Sequence, residues 1–440
     1  MTTANFLQSG ATTGAAPTII PRRSAVSVSR PLTPLESLGR RILQAALARV
    51  RFGGITLIDG EHRLQTPRDA DRTAAPECVV HIRGRRFYSA VAFRGSLGAA
   101  EAYMDGLWET DDLPGVIEML TVNYSAMANL EGPLARLLQP LDWIRSTLTR
   151  NTLRGARRNI QAHYDLSNEF FALFLDPSMT YSCAIFENGA QTLEDAQIEK
   201  IDRACRRLRL TPDHHLLEIG TGWGALAMHA ARKYGCRVTT TTISDRQFEW
   251  ASRKIRESGL EGRISLVKQD YRALSGQYDR IVSIEMIEAI GAEHFGAYFN
   301  ACSRLLKPDG AMLLQSIVIR DQFFAGAARA QDFLKKYIFP GSCLPSVNAM
   351  LDAIRRRSDL RLWNLEDIAQ HYATTLSMWR DRFAARLDEV RALGFDERFI
   401  RMWEYYFAYC EGAYRARHVG DVQMLLTKPL YRGPSPGASA

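Results

Sequence analysis

The spacing of apolar residues changes along the chain and divides it into regions. LESLGRRILQAALARV, starting at Leu35, repeats leucine, isoleucine and alanine at helical spacing. ITLID, RLQTP, CVVHI and FYSAVAF then alternate between Gly and Pro breaks, which predicts short strands. GAAEAYMDGLWETDDLPGVIEML predicts two short helices around a turn. Residues 35–125 therefore read as a small α+β domain, and nothing in them looks like catalytic chemistry by itself.

From about residue 200 the pattern changes. HHLLEIG, RVTTTTIS, RISLVKQD, YDRIVSIEM and GAMLLQSIVI are strand patterns. Helical spacing appears between them, near 223–234, 246–258, 292–306 and 328–337. Such alternation predicts an α/β fold with a doubly wound, mostly parallel sheet. A helical segment follows from about 365 to 418, and VQMLLTKP near 422–429 predicts an antiparallel edge strand.

Composition narrows the class. A chain of 440 residues, 46% hydrophobic and 24% charged, is neither wholly disordered nor fibrous, and its length suggests two or three domains. No run approaches the roughly 18 apolar residues of a membrane-spanning helix. Net charge +8 suits an anionic partner. Seven scattered cysteines without a CxxC pair read as reduced thiols of a cytoplasmic protein. Residues 1–34 hold no Asp or Glu and read as a disordered tail, and residues 431–440 as a flexible one. No apolar core follows the start, so a secretory signal is not expected, although a transit peptide has similar composition. A linker at 126–160 is strongly basic; across 133–164, Arg136, Arg145, Arg150, Arg154, Arg157 and Arg158 stand against Asp142. It fits an anionic membrane surface, or equally a linker with solvated arginines.

LLEIGTGWGALAMHAARKY places Glu218, Gly220, Gly222 and Gly224 at a strand-to-helix junction. Glycine permits a tight turn and close approach to a ligand, and the helix start offers unpaired N–H groups. A bare G-x-G-x-G also fits nicotinamide and flavin sites. The acid two residues before the first glycine favours a cationic ligand end, such as the amino group of a methionine moiety. E-x-G-x-G-x-G after a strand resembles motif I of S-adenosylmethionine (SAM) methyltransferases. QDYRAL ends the third strand, where Asp270 and Tyr271 could reach an adenine.

Longer strings narrow the match. NIQAHYDLSNEFFALFLDPSMTYSCAIF, TTISDRQ, DRIVSIEMIEAIG, KYIFPGSCLPS and HYATTLSMWRDRF together resemble the cyclopropane fatty acid synthase (mycolic acid cyclopropane synthase) family. The resemblance covers about residues 155–430, with the catalytic domain at 161–430. Residues 35–125 are similar to the extra N-terminal domain of bacterial phospholipid-acting members. The resemblance implies a Rossmann-like SAM-dependent methyltransferase with helical lipid-binding insertions. Its activity would be methyl or methylene transfer to a cis double bond of acyl chains in membrane phospholipids. It places SAM against Tyr181, Ser182, Glu218, Gly220, Gly222 and Gly224, the ribose at Thr242, Ile243 and Gln247, and adenine near Asp270 and Tyr271. In cyclopropane-forming relatives a bound bicarbonate is the base. Cys183, Glu288 and Tyr372 match its side-chain ligands, and Ile317 matches a backbone contact. No metal is expected.

The sequence departs from the family at that point. Gln315 in MLLQSIVI stands where the family has a His. The usual Glu-His after the fourth strand is Glu288-Ala289, and Glu285 is an additional acid. Gln can hydrogen-bond an anion but cannot carry a proton or charge. Two expectations follow: bicarbonate still binds, or Glu285 or Glu288 is itself the base. An altered base opens a methyl-branched product beside cyclopropane. Lys335 and Lys336 in the apolar insert are expected to meet lipid phosphates. The expected partner is an anionic phospholipid bilayer on the inner face of the membrane, with peripheral association. No basic-aromatic motif suggests nucleic acid. A homodimer is compatible but not fixed by sequence. Two alternatives are a small-amine N-methyltransferase and a non-catalytic SAM- or lipid-binding homologue.

Overall fold

The computed structural model describes residues 31–127, apart from 68 and 72, and residues 166–433. Nearly all of the basic linker and of both expected tails lies outside them.

Helix Pro34–Leu47 opens on a capping box, in which Thr33 Oγ1 accepts from Glu36 N–H and Glu36 accepts from Thr33 N–H. The first sheet has β1 (Gly54–Asp59), β2 (His62–Gln65), β3 (Glu77–Ile82) and β4 (Trp108–Thr110), in the order β2-β1-β3-β4. FYSAVAF is not a strand. It begins helix Arg86–Met104, because Phe87, Tyr88, Val91 and Ala92 are buried together at helical spacing. The turn expected between two helices contains β4, and helix Leu113–Val122 follows it.

The second sheet has seven strands, in the order β10-β11-β9-β8-β5-β6-β7. They are β5 (His215–Ile219), β6 (Arg237–Thr242), β7 (Ile264–Lys268), β8 (Tyr278–Ile284), β9 (Leu306–Ile319), β10 (Arg361–Asp367) and β11 (Val419–Thr427). β5 to β9 are parallel, and β11 runs antiparallel to β9. Helices Leu193–Arg207, Ala225–Lys233 and Asp245–Glu257 supply the core on one face. Phe295–Leu305 and Val347–Arg357 supply the other. The expected edge position of VQMLLTKP is corrected: β11 lies inside the sheet, between β9 and β10. RLWNLED forms the edge strand β10; its half-buried, mixed face hides the strand period.

Register decides what the sheet brings together. Ile284 pairs with Gln315, Gln315 with Gln423, and Ile317 with Asp421. The ends of β8, β9 and β11 thus converge beside the switch between β5 and β8, where open α/β sheets bind ligands.

The insertion after β9 is less regular than expected. Helix Asp321–Arg329 ends early, and a short π-turn at Leu334–Ile338 precedes the FPGSCLPS loop. The small domain docks on helix Glu397–Arg415. Tyr103 Oη donates to Glu404 at 3.3 Å, and Arg401 Nη2 donates to Trp108 O at 3.0 Å. At the crossing, a Cβ on Gly412 would lie 2.7 Å from Ile117 Cβ, so the helices meet only because this residue has no side chain.

Candidate active site

The ends of β5, β6 and β8 open into one cavity of about 790 Å³. Small-molecule pockets usually span about 300–1,000 Å³, so the space suits a nucleoside cofactor with a second ligand beside it.

At the β5 end, Gly220 and Gly222 have φ of +104° and +53°, a conformation that strains any side chain. The N–H groups of Gly220 and Thr221 donate to Thr241 O at 3.1 and 2.9 Å, which ties the loop to β6. Gly224 does not line the cavity, contrary to the expected cofactor contact. It starts helix Ala225–Lys233 at φ +95°, where a Cβ would sit 3.4 Å from Ala251. Glu218 is buried and accepts a hydrogen bond from the Thr240 hydroxyl. Burial pushes its carboxyl up to about 8.

Thr242 Oγ1 donates to Gln247 Oε1 at 2.9 Å, and both line the cavity with Ile243. Burial would raise Asp270, but hydrogen bonds from Arg272 N–H, Nε and Nη2 at 2.7–2.9 Å hold its carboxyl below the usual range. Tyr271 packs edge-on against Tyr298 at 5.3 Å. Tyr181 and Ser182 face the same space; Tyr181 Oη lies 2.7 Å from Tyr406 Oη.

The other end of the cavity is organised by Glu285. Its φ is +45°, a left-handed conformation that costs a non-glycine residue about 1–2 kcal/mol. The carboxylate accepts from Cys183 N–H at 2.8 Å, Gln315 Nε2 at 2.8 Å and Tyr372 Oη at 2.6 Å. Gln315 Nε2 also donates to Asp421 Oδ2 at 3.1 Å, while its Oε1 accepts from Gln423 at 3.1 Å. Burial first, and Glu285 second, raise the Asp421 carboxyl far above its usual range. Glu288 accepts from Ser316 Oγ at 2.9 Å and Ile317 N–H at 2.6 Å. Burial, reinforced by Glu285, pushes Glu288 up to about 8.

The structure thus gathers Cys183, Glu285, Glu288, Gln315, Ile317 and Tyr372, all singled out from sequence. It differs in what each offers. Cys183 contributes its backbone N–H; its thiol lies 3.3 Å from Ala184 O and beside Asp421, and burial holds it well above the ordinary thiol range. The donors expected around a bicarbonate already serve Glu285, and the Ile317 N–H serves Glu288. The expected phosphate contacts are corrected as well. Lys335 Nζ caps the carbonyls of Ala327 and Ala330, and Lys336 Nζ pairs with Glu101 at 2.5 Å. Sequence reasoning missed Asp421, Gln423 and the buried Lys200. For Asp421 the available signal was an acid inside an otherwise apolar strand.

Tyr181, Tyr372, Tyr406 and Tyr414 line the cavity, the rings of Tyr372 and Tyr414 lying 4.5 Å apart. Helix Asp321–Arg329 lines the far end through Gln322, Phe323, Gly326 and Ala327, and none of its residues is fully buried.

Comparison with known proteins bears on the family and the fold. The family model for mycolic acid cyclopropane synthetase matches residues 151–424. The tuberculostearic acid methyltransferase of Mycobacterium tuberculosis is 36% identical, over 80% of this chain and 84% of its own length. The cyclopropane-fatty-acyl-phospholipid synthase of Escherichia coli is 35% identical, over 80% and 89%. Among solved structures, the cyclopropane synthase MmaA2 from Mycobacterium tuberculosis superposes with a TM-score of 0.58 at 31% identity, covering 62% of this chain and 98% of that one. The mycolic acid cyclopropane synthase CmaA1, complexed with SAH and CTAB, gives 0.58 at 33% identity, with the same coverage. Coclaurine N-methyltransferase, at 21% identity and a TM-score of 0.57 over 75% of this chain and 98% of that one, shares the fold alone.

Proposed function

The chain belongs to the mycolic acid cyclopropane synthetase family and is a SAM-dependent enzyme that transfers a methyl or methylene group to the double bond of unsaturated acyl chains; we propose that its own Glu285 is the proton acceptor of that reaction. The observation that carries this reading is the convergence of Cys183 N–H, Gln315 Nε2 and Tyr372 Oη on one carboxylate. An anion drawn from solution would need those same donors.

The residues at the β5 and β6 ends fit SAM: an open glycine turn, a buried acid and polar groups at the strand tips. When bound, the cofactor supplies an electrophilic methyl group. Addition to the alkene leaves a carbocation on the acyl chain. The rings of Tyr181, Tyr372, Tyr406 and Tyr414, among the tyrosines lining the cavity, favour it, a cation over an aromatic face gaining about 0.5–2 kcal/mol. Glu285 then takes a proton. Loss from the new methyl closes a cyclopropane; loss elsewhere after a hydride shift leaves a methyl-branched or exomethylene alkene. Burial pushes Glu288 up to about 8 and Asp421 far above its usual range, which disfavours three negative charges in the pocket.

The acyl chain enters beside helix Asp321–Arg329 from a phospholipid bilayer on which the protein sits peripherally. The half-exposed apolar residues of this helix and the net charge of +8 support that route. Among the described residues no helix is long and apolar enough to cross a membrane.

Vesicles of unsaturated anionic phospholipid, methyl-deuterated SAM and buffer stripped of carbon dioxide test both parts. Expected is a gain of one carbon on the acyl chain at undiminished rate. A rate that depends on added bicarbonate overturns Glu285 as the base. Equal rates on anionic and neutral vesicles count against the charged-surface route.

A further inference from the structure

Helix Leu193–Arg207 turns a lysine inward. Lys200 is 1% exposed, yet it lines the cavity with Ser182, Glu218 and Gly220. Its ammonium donates to Ser182 Oγ at 2.5 Å. Among the described residues no carboxylate forms an ion pair with it. An ammonium has three donors and a full charge, and a buried charge without a partner costs several kcal/mol. Burial lowers its proton affinity, while Glu285 and Asp421 act on it only at longer range. Neither forms an ion pair with it: Glu285 is already bound by three donors, and Asp421 Oδ2 accepts from Gln315 Nε2 at 3.1 Å.

The surroundings of Lys200 are built rather than incidental. One helical turn earlier, Gln197 Nε2 donates to Ser182 O at 2.8 Å, so the helix grips Ser182 by both its backbone and its hydroxyl. Ser182 Oγ, accepting from Lys200, keeps its own proton to donate into the cavity. The result is a cationic and a hydroxyl donor side by side, facing a cavity whose adjoining wall is the acid Glu218. A ligand end carrying one carboxylate and one ammonium matches that pair of walls.

We infer that Lys200, with Ser182, binds the carboxylate of the methionine moiety of SAM, leaving Glu218 to its ammonium. The inference rests on SAM being the cofactor and adds the residue that reads its acid group.

Isothermal titration calorimetry on the full chain tests this, comparing SAM with decarboxylated SAM, which lacks only that carboxylate. Breaking a buried, hydrogen-bonded charge pair costs at least about 2 kcal/mol, or about 30-fold. Wild type is therefore expected to bind SAM about 30-fold or more tighter than the decarboxylated form. In Lys200→Met that preference collapses toward unity, because SAM weakens and the decarboxylated form does not. Ser182→Ala moves the ratio the same way by a smaller factor, and it keeps the buried charge in place should Lys200→Met fail to fold. Equal affinity of wild type for both ligands overturns the inference. So does an equal loss of both in Lys200→Met, the signature of a purely structural lysine. If wild type binds neither ligand, the cofactor assignment itself falls.

Discussion

Replacing Glu285 separates a carboxylate carried by the chain from one taken from solution. In Glu285→Gln the amide oxygen can still accept from Cys183 N–H and Gln315 Nε2, and the new NH₂ can donate to Tyr372 Oη. Each neighbour keeps a partner, so folding and SAM affinity are expected to hold. Proton affinity is lost, and a positioned general base is worth about 10²–10⁴ in rate. Glu285→Ala has a different cost. It leaves the same three donors buried without an acceptor, at about 1–3 kcal/mol each before relaxation, so its Tm falls below that of the Gln variant. It also opens a space bounded by those donors. Bicarbonate, a planar anion with accepting oxygens, fits that donor set. Added bicarbonate is therefore expected to restore turnover in Glu285→Ala but not in Glu285→Gln, where the amide fills the space. The assay is transfer of labelled methyl from SAM to vesicle phospholipid, with SAM affinity measured separately. If Glu285→Gln keeps more than about a tenth of wild-type turnover, well above what losing a general base allows, the assignment fails.

Three further outcomes follow from the packing and the charges. Glu288 has a folded-state pKa of about 8 against an ordinary 4.5, so the folded chain holds a proton that the unfolded chain releases. Its contribution is full below pH 4.5 and is lost as pH rises through about 8, at up to about 1.4 kcal/mol per pH unit. Glu288→Gln should thus gain Tm relative to wild type as pH rises across that window; a constant difference would contradict the buried, protonated acid. Gly412→Ala places a Cβ 2.7 Å from both Ile117 Cβ and Pro114 O, and overpacking of this kind costs about 1–3 kcal/mol. Calorimetry should show a lower or split transition, and an unchanged melt would mean that the helices slide apart freely. Glu101→Ala frees Lys336 and Tyr337 on the insertion, both of which donate to Glu101 Oε1, at 2.5 and 2.8 Å. The KM for vesicle lipid should rise while SAM affinity stays constant, and a loss confined to SAM affinity would place the contact elsewhere in the mechanism.

The parts of the fold legible in sequence are those with one clear period. β5 to β9 are runs of apolar and β-branched residues set between stretches of helical spacing, a pattern that reads as strands from sequence alone. FYSAVAF failed because its aromatic and β-branched residues imitate a strand, whereas its buried positions share a helix face. β10 failed because RLWNLED is half-exposed along its length. The site shows a sharper boundary. Cys183, Gln315, Tyr372 and Glu285 could each be named from long strings, but no string says that they bond to one another. Strand pairing sets Glu285, at the end of β8, beside Gln315, and Cys183 and Tyr372 reach them from the loop before helix Leu193–Arg207 and from helix Gln370–Ala384. Asp421 and Lys200 stayed hidden because a charged residue is expected to face solvent, and only tertiary packing turned them inward.

Two departures that seem independent in the linear sequence, a glutamine where a histidine was expected and an extra glutamate thirty residues earlier, are one arrangement in space. A carboxylate fixed to the backbone beside a second acid needs a neighbour that donates to both without adding a titrating charge. The amide NH₂ of Gln315 does this, donating to Glu285 and to Asp421 from a single nitrogen, while Gln423 fixes its orientation from behind. An imidazole carries at most one proton on each nitrogen and cannot bridge the two acids from one atom. The exchange of His for Gln is therefore what a chain carrying its own carboxylate requires. Gln315→His should disorder the Glu285 carboxylate and lower turnover even when bicarbonate is supplied. Full activity in that variant would show that the two departures are unrelated.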